Sequence, residues 1–273
     1  MSELNILVCM KFVPDANLLR ADAATGRPDL KPEQFRISPF DENAIEAGLQ
    51  LVAKHGGRVV ALSLYSLPPP KEVVHKALAM GLSKVYLVRD DERIACDALR
   101  TASVLAAAVR ASAALENISQ WDLLLCGEAS ADEYSEQVGP RLAVALGLPL
   151  VSYATALSLE DRLLLAERAI EERSESIEVV LPAVVTVGME INTARMPTVL
   201  QIMGAGRKPV IELALAELTG LDIEQLKALP VAEVHEVFMP PSTRQQVVIE
   251  GDNAQEIVTD LLRRLGACGA VDF

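Results

Sequence analysis

Aromatic residues make up only 4% of the 273 residues, so Leu, Val, Ala and Ile must fill the core. Basic residues are also short: 25 Lys and Arg stand against 38 Asp and Glu, a net charge of −13. That balance argues against sequence-independent binding of DNA or RNA, where neutralised phosphates supply most of the affinity. It argues equally against an anionic membrane surface as the main partner. Cysteines are few and scattered: Cys9, Cys96, Cys126 and Cys268 make neither a C-x-x-C pair nor a zinc spacing. Nothing therefore calls for an oxidising compartment, and Cys9 and Cys126, inside apolar runs, read as small buried hydrophobes. No apolar run approaches the roughly 18 residues of a membrane span, and the start lacks a basic, cleavable leader. A soluble, cytoplasmic chain with no nucleic-acid partner and no membrane insertion is expected. There is no G-x-G-x-x-G, no P-loop and no G-x-S-x-G elbow. The three histidines, His55, His75 and His235, lie far apart and read as surface residues.

What is present is globular: 51% hydrophobic and 23% charged residues, enough chain for one large domain or two small ones. Short runs rich in Val, Leu and Ile at 4–10, 58–65, 84–88 and 122–126 read as buried parallel strands. Helical patterns lie between and after them, at about 40–55, 70–81, 92–114 and 133–147. Asp41 and Glu42 open the first, where the helix dipole favours acids, and Gly56-Gly57 offers its stop. Pro68-Pro69-Pro70 leads stiffly into the second. This order predicts a doubly wound, mostly parallel sheet flanked by helices, of the Rossmann-like kind that binds adenine nucleotides.

After Pro149 the rhythm changes. Runs at 150–157, 163–170, 175–181 and 183–188 follow without intervening helices and predict appended antiparallel or mixed strands. The stretch 192–209 is aperiodic and carries Arg195, Arg207 and Lys208, which suits a partner-binding loop or a solvated connector. Helical runs at 211–219 and 221–227, a tail at 230–251 and an amphipathic helix at 253–265 close the chain. The division expected is 1–210 for the nucleotide-binding domain and 211–273 for a C-terminal arm, which either grips a partner subunit or packs back on the domain.

Ligands of open α/β sheets bind beyond the carboxyl ends of the strands, at the point where strand order reverses. The loop from Gly127 to Pro140 leaves a strand through a glycine and enters a helix whose free N–H groups suit a phosphate, with Ser135 and Gln137 as added donors. Glu128, Asp132, Glu133 and Glu136 oppose an anion there, and the same stretch also reads as a capped acidic helix start. Lys11 and Asp15, after the first strand, could reach a ligand; no set of catalytic residues stands out.

Several stretches together resemble the beta subunits of electron transfer flavoproteins. They are the opening strand with Lys11, the segment 37–46 beginning Ile37-Ser38-Pro39-Phe40-Asp41-Glu42, Lys76 to Gly81, the 127–140 loop, Ala166 to Glu172 followed by Glu175, and Val180-Leu181-Pro182-Ala183-Val184-Val185-Thr186. The likeness covers about 4–210. It implies a heterodimer with an alpha subunit that holds most of a redox FAD, shared at the interface. It also implies an adenine nucleotide, AMP or FAD, in the beta subunit itself, at Cys9, Ser38, Ser63, Leu64, Tyr65, Ser66, Gly127, Asp132, Ser135, Gln137, Val138 and Gly139, largely through backbone groups. Arg195, Met196, Pro197, Thr198, Val199, Ile202 and Met203 resemble the loop by which the family docks its dehydrogenases, with Gly204 and Gly206 where many relatives carry lysines. The resemblance implies an electron carrier between a flavin dehydrogenase, of the acyl-CoA type used in fatty acid oxidation, and a quinone oxidoreductase. Such a subunit positions cofactors and is not a self-contained enzyme. Two alternatives stand beside it: a bifurcating complex that oxidises NADH at a beta-bound FAD, and a stand-alone nucleotide-binding or sensing module.

Overall fold

β1 (Leu4–Cys9) and β6 (Leu123–Gly127) lie side by side at the centre of a mostly parallel sheet, with Ile6 opposite Leu123 and Cys9 opposite Cys126. In the computed structural model, residues 3–22, 24–95, 97–170, 173–231, 235–239 and 247–271 are described, which leaves Cys96, Glu171 and Glu172 outside. From β1 the chain makes a short hairpin, β2 (Phe12–Pro14) with β3 (Phe35–Ile37), and enters α1 (Pro39–His55). It then builds outward through β4 (Gly57–Tyr65), α2 (Lys71–Met80) and β5 (Lys84–Arg89). α3 (Ala98–Leu115) carries it back across β1 to β6 on the other side. α4 (Val138–Leu146), β7 (Leu150–Glu160), β8 (Leu163–Ile170), β9 (Arg173–Val180) and β10 (Ala183–Val187) follow. The order across the nine described strands is β11-β5-β4-β1-β6-β10-β7-β8-β9, where β11 is Val210–Ala214. Pairing is parallel from β11 to β7 and antiparallel from β7 to β9; the parallel central strands β5, β4, β1 and β6 and the mixed character of the appended strands follow the sequence pattern.

The central strands are apolar on both faces because helices cover both faces. Ile6, Val8, Ala61, Val85 and Leu125 pack under α1 and α2. Leu7, Val60, Leu62, Tyr86 and Leu124 pack under α3 and α4, with Trp121 buried and its indole N–H donating to Ser112 Oγ at 3.1 Å. α3 is long and apolar enough to cross a membrane by length and composition, yet more than half of it is buried in this core.

Helix ends follow local chemistry. Pro39 sits in the first turn of α1 and Gly56, at φ 77°, ends it. Asp97 caps α3 by accepting from the Arg100 N–H at 2.8 Å, so the helix starts six residues later than its apolar pattern suggests. The buried Asp90 organises the intervening turn by accepting from the N–H groups of Ile94 and Ala95.

Two expectations differ from the structure. The run at 211–219 is not a helix: β11 adds to the β5 edge, Val210 opposite Val85 through Ala214 opposite Arg89, followed by a 3-10 turn at Leu215–Glu217. The aperiodic 192–209 stretch holds α5 (Val199–Ala205), started by a capping box in which Thr198 Oγ1 accepts from the Gln201 N–H. The chain divides into compact units at 1–237 and 238–273. β11 belongs to the sheet, and α6 (Ile223–Ala228) contributes the buried Leu226 to the α3-side core. Arg100 also donates to the Lys227 and Leu229 carbonyls at 2.9 and 2.6 Å. The second unit contains α7 (Ala254–Ala267), capped by Asn253 and carrying an Asp260 paired with Arg263 and Arg264.

Candidate nucleotide site

A cavity of about 280 Å³ opens at the carboxyl ends of β1, β4 and β6, where the strand order reverses. Its floor is Cys9, Met10 and Cys126, at the carboxyl ends of two adjacent strands. One wall is Leu64, Tyr65 and Ser66; the start of α3 supplies Ala95, Asp97, Ala98, Thr101 and Leu105. The loop from Gly127 to Gly139 completes the rim.

Asp41 joins the parts of this rim. Its Oδ2 accepts from the Lys11 N–H at 2.7 Å and its Oδ1 from the Gly127 N–H at 3.1 Å, so one carboxylate ties the segments leaving β1 and β6. Burial raises this carboxyl to about 7, against the pull of those two N–H groups. Two glycines are required by close approach. A Cβ at Gly127 would fall 2.6 Å from Asp41 Oδ1, and one at Gly139 only 2.3 Å from Thr186 Cγ2. Gly139 thus lets the first turn of α4 lie against β10, with the free N–H groups of that turn at the cavity wall. No side chain caps α4, which leaves those donors for a ligand.

Several carboxylates of the acidic rim are held by partners of their own. Asp97 caps α3, and Glu136 accepts from the Tyr153 hydroxyl at 2.9 Å. Asp132 and Glu133 pair with Lys11 Nζ at 2.9 and 3.4 Å. Burial, then the neighbouring Glu190 and Glu136, raises the Glu128 carboxyl. The apolar Leu64, Ala95, Ala98, Leu105 and Val138 offer a surface for a flat heteroaromatic ring. The donor set and this surface fit an adenine nucleotide.

Of the twelve residues the resemblance implies, Cys9, Leu64, Tyr65, Ser66, Gly127, Ser135, Gln137, Val138 and Gly139 line the cavity. Ser38, Ser63 and Asp132 are not among the lining residues. Ser38 and Ser63 are fully buried with hydroxyls lacking a partner, and Asp132 is drawn to Lys11. Sequence reasoning missed Asp41 as a member of the site and missed the whole α3 wall. The acid two residues after Pro39 was legible as a helix-dipole residue, while nothing in the spacing of 95–105 points to a ligand.

The implied docking segment stands on the same α1. Asn43 Nδ2 donates to the Asn192 carbonyl and Oδ1 at 2.7 and 2.9 Å, and Asn192 Nδ2 donates back to the Asn43 carbonyl at 3.0 Å. Arg195 grips Glu46 through Nε and a terminal nitrogen at 2.6 and 3.0 Å. Burial works to raise the Glu46 carboxyl, but the Arg195 and Gln50 hydrogen bonds outweigh it and hold the group below its ordinary value. Beyond this root the apolar side chains face outward: Met196 is 90% exposed, Leu200 80%, and Val199, Ile202 and Met203 are exposed as well. Lys208 Nζ is occupied by the Leu78 and Leu82 carbonyls at the end of α2.

The family model described as "Electron transfer flavoprotein domain" matches residues 32–218. An electron transfer flavoprotein subunit beta from Megasphaera elsdenii is 32% identical over 97% of this chain and 98% of that protein. One from Thermoanaerobacterium thermosaccharolyticum is 33% identical over 97% and 98%. The caffeyl-CoA reductase-Etf complex subunit CarD from Acetobacterium woodii is 32% identical over 96% and 98%. With the parallel sheet and the cavity at its switch point, these matches place the chain in the electron transfer flavoprotein family, among its beta subunits.

Proposed function

We propose that this chain is the nucleotide-holding, partner-docking half of a heterodimeric electron carrier. It holds an adenine nucleotide in the switch-point cavity and pairs with an alpha subunit that carries most of a redox FAD. α5 meets a flavin dehydrogenase of the acyl-CoA type, and electrons pass on to a quinone oxidoreductase. The flavin supplies the redox chemistry when bound; the chain's own residues bind, orient and exclude water. Asp41 fixes the two strand ends, the first turn of α4 presents N–H groups to phosphate, and the α3 wall receives the adenine. The observation that carries this reading is the uncapped start of α4 against Gly139 at the cavity rim. The size of the cavity, about 280 Å³, sits at the lower end of small-molecule sites (roughly 300 Å³ and upward) and favours a mononucleotide such as AMP.

The CarD relative, by name a subunit of a caffeyl-CoA reductase-Etf complex, favours a second reading in which the chain works inside a complex with a reductase; that reading takes the chain's own nucleotide to be a second FAD that oxidises NADH. Acid extraction and mass spectrometry of the protein coexpressed with its alpha subunit separate the two. One FAD and one AMP per heterodimer support the carrier. Two FAD and no AMP support the complex. A chain that purifies alone, monomeric and without nucleotide, refutes both.

A further inference from the structure

The floor of the cavity holds two thiols. Cys9 and Cys126 are register partners on the parallel neighbours β1 and β6 and belong to the same apolar face. Adjacent strands run about 4.7–4.9 Å apart, inside the Cα separation of about 4.4–6.8 Å that a disulfide spans. The neighbouring Cys9 side chain, and then burial, push the Cys126 thiol well above its ordinary value. Both are buried, 7% and 4% exposed, and what opens toward them is the nucleotide cavity, since both line it. Gly139 packs beside this floor, where a Cβ would lie at contact distance, 3.6 Å, from the Cys126 Cβ. With no nucleotide in the cavity the two side chains are reached only through this opening, and a nucleotide seated on the floor would close it.

We propose that Cys9 and Cys126 form a nucleotide-shielded dithiol, oxidised to an intrachain disulfide by a small-molecule disulfide only when the cavity is empty. One thiol, as thiolate, attacks the oxidant's S–S bond and expels one small thiol. The second thiol then displaces the other small thiol from the mixed disulfide. The pair loses two electrons and two protons, one S–S bond forms, and the oxidant's S–S bond is cleaved to two thiols. The raised Cys126 value keeps that thiol protonated, and an attack that starts from it is slow. The inference rests on the proposed nucleotide site, because it assigns the shielding to that ligand.

The test uses the heterodimer, stripped of the beta nucleotide and divided, one part reloaded with AMP or FAD. Nucleotide binding is measured on each part by equilibrium dialysis. Both are incubated with oxidised glutathione and quenched with a maleimide, and this chain is then separated in denaturant for thiol counting and peptide mapping. The expected result is that Cys9 and Cys126 become linked in the stripped part, with the mass of two hydrogens lost and reversal by dithiothreitol, while adducts on the exposed Cys268 are mapped separately and set aside. The loaded part keeps Cys9 and Cys126 free, and Cys9→Ser gives no intrachain link; if that variant fails to fold, the wild-type peptide map alone decides. Absence of the link in the stripped part, a link of Cys9 or Cys126 to another cysteine, or a glutathione adduct that stays on Cys9 or Cys126 overturns the proposal. Equal rates in a part that demonstrably binds nucleotide overturn the shielding and leave the nucleotide site standing. Failure of AMP and FAD to bind at all overturns both.

Discussion

Asp41 is the residue on which most of the site converges. Burial moves its carboxyl from an ordinary 3.8 to about 7. The folded chain therefore keeps a proton that the unfolded chain releases near 3.8. Between those values the folded state binds more protons, so this group's contribution to stability falls as pH rises and levels off above about 7. The whole loss is at most about 4 kcal/mol. Asp41→Asn removes the titration: the variant is expected to match the wild type in urea unfolding near pH 4 and to become the more stable of the two at pH 8. A constant difference across pH would refute the placement of this carboxyl. Nucleotide affinity moves the other way at pH 8, because an amide offers one oxygen where the carboxylate serves two N–H groups. Gly139→Ala acts by volume, since its Cβ would strike Thr186 Cγ2. It should cost about 1–3 kcal/mol in a thermal melt and lower nucleotide retention in the same preparation.

At the scale of elements, the central strands and α1 to α4 were legible because their local pattern and their tertiary fate agree. β11 was not. Ile211 to Glu217 is rich in Leu, Ala and Glu, which favour helix, and the exposed N–H and C=O groups at the edge of β5 overrode that preference. α5 carried a readable signal in Thr198 and Gln201, whose spacing is a capping box, but at seven residues it was too short to show a period. The cavity floor and the 127–139 rim could be found from the sequence because they follow strand ends. The α3 wall could not, since its place depends on a crossover that brings residues 95–105 over β1. Within the docking segment, cap and contact can be separated. Thr198→Ala removes the cap of α5, at about 1 kcal/mol. Leu200→Ala removes only exposed apolar surface. Both should weaken dehydrogenase-coupled electron transfer, but only the first should also loosen the 199–205 amides in hydrogen exchange. Unchanged transfer in Leu200→Ala would place the dehydrogenase elsewhere.

Across the whole molecule, one helix connects two features: α1 holds the cavity rim through Asp41 and the root of the proposed docking segment through Asn43 and Glu46. The order of the sheet explains why both contacts fall on the N-terminal half of this helix. β10 inserts between β6 and β7, so the chain leaving β10 emerges beside α1 and its first turns meet Asn43 and Glu46. That insertion was hidden in the sequence, where 183–188 is one more apolar run after the 163–181 hairpin. The second unit has a different logic. α7 has no buried residue, and Ile257, Val258, Leu261 and Leu262 recur along one exposed stripe. An apolar stripe on a well-capped helix is the pattern of a face made for another chain, and the alpha subunit is the partner proposed for it. A carboxylate in that stripe would oppose such a contact without disturbing a core. Leu261→Asp is therefore expected to leave the thermal melt and nucleotide content of the first unit unchanged while dissociating the heterodimer in gel filtration at low micromolar concentration. A variant that stays assembled would show that the alpha subunit grips the chain elsewhere, and a variant with a lowered melt would show that the stripe packs on its own chain.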